Sequence, residues 1–305
     1  MNDTRILVLG AGELGMAVLR NLAQRIDLLS GTTLTVLLRS ATITAPTHDK
    51  RRDIATLDSL GVQLLPGDLV AASESDLAAL FADFPTVIGC TGFVAGRNIQ
   101  IKLARAVLEA GVRRYVPWQF GVDYDVIGRG SAQDLFDEQL DVRDLLRSQD
   151  RTEWVIISTG MFTSFLFDPS FGVVDLARNT VHALGSWETA VTVTTPEDIG
   201  ALTAEILFAE PRIANRVVYT AGDTVTYARL ADIVDSVLGR QVQRTAWSRS
   251  RLRDELAADP TNPLRKYRVV FAEGNGVSWG VDQTFNAQRG IEVVGVEQWA
   301  RENLQ

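Results

Sequence analysis

The chain is poor in the residues that metal centres and covalent cross-links need. Its 305 residues include one cysteine, Cys90, and two histidines, His48 and His182. A single thiol cannot close an intrachain disulfide, which fits a reducing compartment. So few soft ligands argue against a zinc-type Cys/His cluster, and no metal is expected. No apolar run reaches the roughly 18–20 residues that a helical membrane span requires. Positive charge is short as well. The formal net charge is −8, whereas nucleic-acid binding wants a basic face. The chain starts Met1-Asn2-Asp3-Thr4 and enters an apolar strand at once, which leaves no room for a signal peptide. The expectation is a cytoplasmic protein with no nucleic-acid or membrane partner.

What is present is an ordinary folding composition. Hydrophobic residues make up 46% of the chain, enough to bury one large or two modest domains at this length. The most informative stretch is Arg5-Ile-Leu-Val-Leu-Gly-Ala-Gly-Glu-Leu-Gly15. A short apolar run of strand length leads into Gly10, Gly12 and Gly15 at G-x-G-x-x-G spacing. Met16, Ala17, Leu19, Leu22 and Ala23 then recur at helical spacing. Glycines at a strand-to-helix turn are the setting in which this motif binds a dinucleotide. Gly10 makes the tight turn, Gly12 lets backbone approach a pyrophosphate, and Gly15 lets the helix pack on the strand. Glu13 and Leu14 lie on the same turn, where the first free N–H groups of the helix face the phosphates.

Further strands are expected at Leu34–Leu38, Val62–Leu65, Thr86–Cys90, Tyr115–Trp118 and Trp154–Ser158. Between them, helices are expected at Thr56–Leu60, Ser75–Phe84, Ile99–Glu109 and Ala132–Ser148. This alternation implies right-handed βαβ units and an α/β fold, a Rossmann-type parallel sheet flanked by helices. After residue 160 the alternation loosens. Val191–Thr194 reads as a strand, Ile199–Phe208 and Leu230–Leu238 as helices, and a strand near 216–221 is expected to return to the sheet. Residues 1–160 then form the nucleotide-binding domain. Residues 161–305 form mainly a smaller C-terminal substrate lobe, helical beyond residue 245.

The end of the second strand separates the two nicotinamide dinucleotides. NAD-type sites place an acidic residue there for the ribose hydroxyls, and NADP-type sites an arginine for the 2′-phosphate. Here the strand ends in Arg39-Ser40, and no Asp or Glu lies in 33–41. A guanidinium pairs with a phosphate through a charge-assisted fork. The expected cofactor is NADP(H), held by Gly10, Gly12, Glu13, Leu14, Gly15, Arg39 and Ser40. Lys50, Arg51 and Arg52 are secondary candidates, since a charge run is more often a solvated helix start. Thr91, Gly92 and Phe93, after the fourth strand, are expected along the ribose and nicotinamide. Cys90 reads as an inert core thiol.

Several stretches converge on one family. They are the glycine motif, Leu38-Arg39-Ser40, Pro66-Gly67-Asp68-Leu69, Pro196-Glu197-Asp198-Ile199-Gly200 and, above all, the run from Glu109-Ala110-Gly111-Val112 through Pro117-Trp118-Gln119-Phe120-Gly121-Val122-Asp123. The chain resembles the NmrA-like and isoflavone-reductase-like branch of atypical short-chain dehydrogenases. The resemblance implies an NADP(H)-binding Rossmann domain and a small lobe that closes a cleft. It also implies a lysine on the helix after the fifth strand, in a pattern like F-x-x-K-x-x-V-R. The matching stretch is Phe136-Asp137-Glu138-Gln139-Leu140-Asp141-Val142-Arg143, so the lysine position holds Gln139. The family's P-S-E-F-G is Pro117-Trp118-Gln119-Phe120-Gly121, so a second ionisable group has become an amide. A neutral amide cannot exchange a proton at useful pKa.

The expected catalytic set is therefore Gln139, Gln119 and Asp123. Gln119 is also expected at the cofactor. Trp118, Phe120, Met161, Phe162 and Phe165 are expected to line a pocket for an apolar or aromatic small molecule. An imine or iminium substrate, or a carbonyl in natural-product biosynthesis, fits the missing lysine, because an iminium accepts hydride without a protein acid. The alternative is a non-catalytic NADP(H)-binding redox sensor. The expected assembly is a monomer or homodimer.

Overall fold

The computed structural model describes residues 4–26 and 31–304. Met1–Asp3, on which the expectation of no leader rests, lie outside the described residues. The chain runs β1 (Thr4–Leu9), α1 (Glu13–Ile26), β2 (Thr32–Leu38), α2 (Ser40–Thr44), α3 (His48–Ser59), β3 (Gln63–Pro66), α4 (Glu74–Phe81) and β4 (Thr86–Gly89). It continues with α5 (Ile99–Glu109), β5 (Arg114–Val116), α6 (Tyr124–Ile127), α7 (Leu135–Arg147) and β6 (Glu153–Ser158). Then come β7 (Met161–Phe162), α8 (Thr163–Leu166), β8 (Val174–Asp175), β9 (Thr180–Leu184), β10 (Ala190–Thr194), α9 (Pro196–Leu207) and β11 (Arg216–Tyr219). The last elements are β12 (Asp223–Thr226), α10 (Tyr227–Leu238), β13 (Gln243–Trp247), α11 (Arg249–Ala258), α12 (Pro263–Glu273), α13 (Phe285–Gln288) and α14 (Val296–Asn303).

Seven strands form one sheet in the order β11-β6-β5-β4-β1-β2-β3. The β1–β2, β1–β4, β2–β3, β4–β5 and β5–β6 pairs are all parallel. Central strands of such a sheet are covered on both faces and read as continuous apolar runs. Ile6, Leu7, Val8 and Leu9 are accordingly all buried. On α1 the residues Leu14, Ala17, Val18 and Leu22 are buried too, each leucine contributing about 2 kcal/mol by its removal from water. The chain winds outward from β1 through β2 to β3, then crosses back to β4 on the other side. The crevice at the carboxyl ends of β1 and β4 is the switch point where such sheets bind ligands.

Two compact units are resolved. One comprises Met1–Gln119, Glu138–Ile157 and Ile199–Val217, and the other Phe120–Asp137, Ser158–Asp198 and Val218–Gln305. The chain therefore changes unit several times rather than once near residue 160. The second unit carries two three-stranded sheets, β12-β10-β7 and β13-β9-β8. The first mixes antiparallel β10–β12 with parallel β10–β7. These strands are two to five residues long, too short for a periodic signal, and most were not expected. Helix α3 also starts well before Thr56. Its charged first turn hides it, since only Leu57 is buried, and Thr47 starts it by accepting a hydrogen bond from the Lys50 N–H.

Candidate functional site

A cleft of about 610 Å³ opens at the switch point, lined by Gly10, Ala11, Gly12, Arg39, Thr42, Lys50, Asp68 and Thr91 among others. Gly10 has φ +100°, a conformation that favours glycine. A Cβ at Gly10 would also stand 2.6 Å from Thr91 Oγ1. A Cβ at Gly15 would collide with the Gly10 carbonyl, so glycine is what lets α1 close on the turn. At Gly12 a Cβ would meet no atom within 4 Å, because that position faces open space in the cleft. Leu14 is buried, while Glu13 is exposed at the start of α1; neither is among the cleft-lining residues. The β1 and β4 ends are tied together across the crevice. The Cys90 N–H and the Thr91 hydroxyl both donate to the Leu9 carbonyl, at 3.0 and 2.8 Å. Burial pushes the Cys90 thiol far above its ordinary range, so it stays protonated and inert.

Arg39 is exposed, and among the described residues its side chain makes no hydrogen bond or ion pair. Asp68 beside it does not tie it up. That carboxylate accepts the Val70 and Ala71 N–H groups at 2.9 and 3.0 Å. The bonds from Ala71 and Val70 hold its pKa below the usual range, with Arg39 and Lys102 adding to the effect. Ser40 is not among the cleft-lining residues; Thr42, one half-turn further along α2, is. The three-residue basic run is also resolved. Lys50 Nζ reaches the Ala11 carbonyl of the glycine loop at 3.3 Å and Asp53 Oδ2 at 2.6 Å. Arg52 pairs with Asp49 and Arg51 donates to the Pro46 carbonyl. Only Lys50 of the three lines the cleft. Spacing alone could not separate it from its neighbours.

After β4 the turn is built around Trp118. A Cβ at Gly92 would stand 2.8 Å from the Trp118 ring, and the Phe93 and Trp118 rings meet edge to face at 4.7 Å. Thr91 lines the cleft, whereas Gly92 and Phe93 form the seat of the half-buried Trp118.

The lysine position lies in a polar network within the first unit. Gln119 is fully buried. Its Nε2 donates to the Gln139 backbone carbonyl at 2.9 Å, and its Oε1 accepts from Arg143 Nε at 2.8 Å. Gln119 was expected to orient substrate or cofactor. In the structure its amide is engaged with α7, where it braces the end of β5 against that helix. The next residue along α7 does similar work. Glu138 accepts the N–H groups of Asn98, Gln100 and Ile101 at the start of α5, at 2.8, 2.8 and 3.2 Å. An anion is favoured at a helix N-terminus. Glu138→Ala should lower the unfolding free energy by about 1–2 kcal/mol, read by urea denaturation. Gln139 itself is fully buried, and among the described residues neither atom of its amide has a partner.

The remaining expected residues lie in the second unit. Asp123 was expected in catalysis, but its carboxylate is committed to structure. Oδ1 accepts the Asp125 and Val126 N–H groups at the start of α6, and Oδ2 accepts the Tyr219 hydroxyl at 2.7 Å. The residues expected to line a pocket divide between buried and half-buried positions. Phe120 and Met161 are buried. Phe165 stacks on Phe171 with centroids 4.5 Å apart and meets Tyr267 edge to face. Phe162 is half-buried at the start of α8. Among the described residues no group of His, Cys, Asp and Glu could hold a metal ion, and no helix is long and apolar enough to cross a membrane.

Sheet order, glycine turn and switch-point cleft define a Rossmann-type α/β protein. The chain belongs to the NmrA-like family, whose model matches residues 2–289. A relative from Gibberella moniliformis (strain M3125 / FGSC 7600), described as an NmrA-like family domain-containing oxidoreductase, is 46% identical over 303 residues. That match covers 99% of this chain and 98% of the relative. An isoflavone reductase crystal structure shares the fold with a TM-score of 0.80 at 20% identity, covering 99% of both chains. A binary complex of leucoanthocyanidin reductase with NADPH from Vitis vinifera gives 0.81 at 17% identity, covering 98% of both.

Proposed function

We infer that the protein is an NADP(H)-dependent oxidoreductase acting on an apolar or aromatic small molecule. The observation that carries this reading is Arg39. It lines the cleft at the end of β2 with no hydrogen bond or ion pair of its own among the described residues, and Lys50 of α3 lines the same cleft. The residues present fit the group. Gly12 leaves room for a pyrophosphate, Arg39 and Lys50 offer cations for a 2′-phosphate, and no carboxylate at the end of β2 opposes one. The NADPH complex of the leucoanthocyanidin reductase supports the same assignment. When bound, the dinucleotide exchanges a hydride with the substrate. Thr91 holds the turn beside it, and the half-buried Trp118 offers apolar surface to the substrate.

The reading extends to the substrate's chemistry. Gln139 stands where the family's reductases have lysine, and Gln119 replaces a second ionisable group. Neither can move a proton, so the preferred substrate is one that needs none from the protein. An imine protonated in solution meets that condition; a ketone does not. The replacement of ionisable groups by amides at positions 119 and 139 equally favours a redox sensor that binds the dinucleotide without turnover. Fluorescence titration with NADPH followed by addition of cyclic imines and of ketones separates the two. Oxidation of NADPH with the imine, and much less with the ketone, is expected. Binding without oxidation by any candidate, together with nucleotide-dependent capture of a protein partner, would leave the sensor.

A further inference from the structure

Another cavity, of about 490 Å³, lies wholly within the second unit. Its walls include Asp123, Val126, Tyr219, Trp279, Asp282 and Gln283. It shares no lining residue with the nucleotide cleft, and none of the five residues expected to meet the substrate lines it. Its volume is that of a small-molecule site. Two of the walls are aromatic. The Tyr219 and Trp279 rings stand 5.2 Å apart at 68° and form a corner. Hydrogen bonds fix both rings. The Tyr219 hydroxyl donates to Asp123 Oδ2 at 2.7 Å, and the Trp279 indole N–H donates to the Thr220 carbonyl at 3.1 Å. The corner is set before any ligand arrives, which lowers the cost of binding.

Charge and apolar surface point the same way. Asp123 and Asp282 both line the cavity, and among the described residues no Lys, Arg or His does. Asp282 is exposed, and among the described residues it makes no hydrogen bond or ion pair. The Asp123 oxygens already accept two backbone N–H groups and the Tyr219 hydroxyl. Asp123 thus offers charge but few free lone pairs, which suits a cation that brings no N–H donors. Val126 on the wall is 60% exposed, and Val281, between Gly280 and Asp282, is 37% exposed. Large apolar side chains left in water next to a cavity offer surface to the apolar part of a ligand.

We propose that this cavity binds a small methylated organic cation, a trimethylammonium head, in the corner of Tyr219 and Trp279. Aromatic faces attract a quaternary ammonium electrostatically. Asp123 and Asp282 supply the opposite charge, and the valines meet the methyl groups. A primary ammonium needs acceptors for three N–H groups, and those of Asp123 are largely taken. An anion would face two carboxylates and no cation. Binding here needs no dinucleotide, so it stands apart from the NADP(H) reading.

An NMR titration of the full chain without nucleotide tests this, with choline, its neutral isostere 3,3-dimethylbutan-1-ol and ethanolamine as probes. The wild-type protein should bind choline about tenfold more tightly than the neutral isostere, and more tightly than ethanolamine. Asp282→Asn should weaken choline binding about three- to fivefold. Asp254→Asn, at an exposed carboxylate outside the cavity lining, should leave it unchanged. Trp279→Leu should remove the preference for choline over its isostere, and Trp279→Phe, which retains a ring, should keep it. Equal binding of choline and the isostere by the wild-type protein overturns the proposal, as does tighter binding of ethanolamine. Equal losses in Asp282→Asn and Asp254→Asn overturn it too, because diffuse attraction to an acidic chain would give that result. Failure of choline to bind overturns it while leaving NADP(H) binding untouched.

Discussion

Arg39→Glu should weaken NADPH binding by about 100-fold or more, roughly 3 kcal/mol, and leave NADH binding within a few-fold. The wild-type guanidinium lines the cleft with no partner of its own among the described residues. It has no hydrogen bond to break before it meets a phosphate, because the neighbouring Asp68 carboxylate is already occupied by two backbone N–H groups. The substitution removes a charge-assisted fork and sets an anion against the 2′-phosphate. NADH lacks that phosphate and loses little. Fluorescence titration of both cofactors reads the two changes independently. A parallel loss for NADH would mean that Arg39 supports the fold of the β2 end rather than the phosphate. Lys50→Ala should show the same selectivity at smaller size, because Asp53 already shares its charge at 2.6 Å.

Gly15→Ala should be the most damaging single change in the nucleotide loop. The added Cβ would collide with the Gly10 backbone carbonyl. Neither backbone can yield cheaply, since the Leu9 carbonyl is already tied to Cys90 and Thr91. Either α1 lifts from β1 or the Gly10 turn opens, and the cleft loses its shape in both cases. Overpacking of this kind costs about 1–3 kcal/mol or more, and NADPH binding should fall below detection. Gly12→Ala is the control. A Cβ there meets no protein atom, so stability should be unchanged while NADPH binding weakens. Equal stability losses for the two variants would contradict this division of roles.

The strand–loop–helix start was legible because three independent signals agree there, namely an apolar run, glycine spacing and a helical repeat. The first strands, and the place of Arg39 just past β2, followed from the same logic to within one or two residues. Side-chain commitments were not legible. Gln119 reaches Gln139 and Arg143, 20 and 24 residues away, and no local pattern encodes that. Asp123 looks the same in sequence whether it caps a helix and holds Tyr219 or serves a reaction. The aromatic run after β6 gives no hint in sequence of the partners that Phe165 finds in Phe171 and Tyr267. Lys50 was hidden inside a charged run whose other members are engaged with Asp49 and Pro46.

The central claim is that this cleft holds NADP(H) by its 2′-phosphate. A crystal structure with NADP⁺ tests it most directly. The pyrophosphate should lie over Gly12, with the 2′-phosphate about 3 Å from the Arg39 guanidinium and close to Lys50. A dinucleotide bound with that phosphate turned to solvent, or bound away from the Gly10–Gly15 turn, would contradict the account.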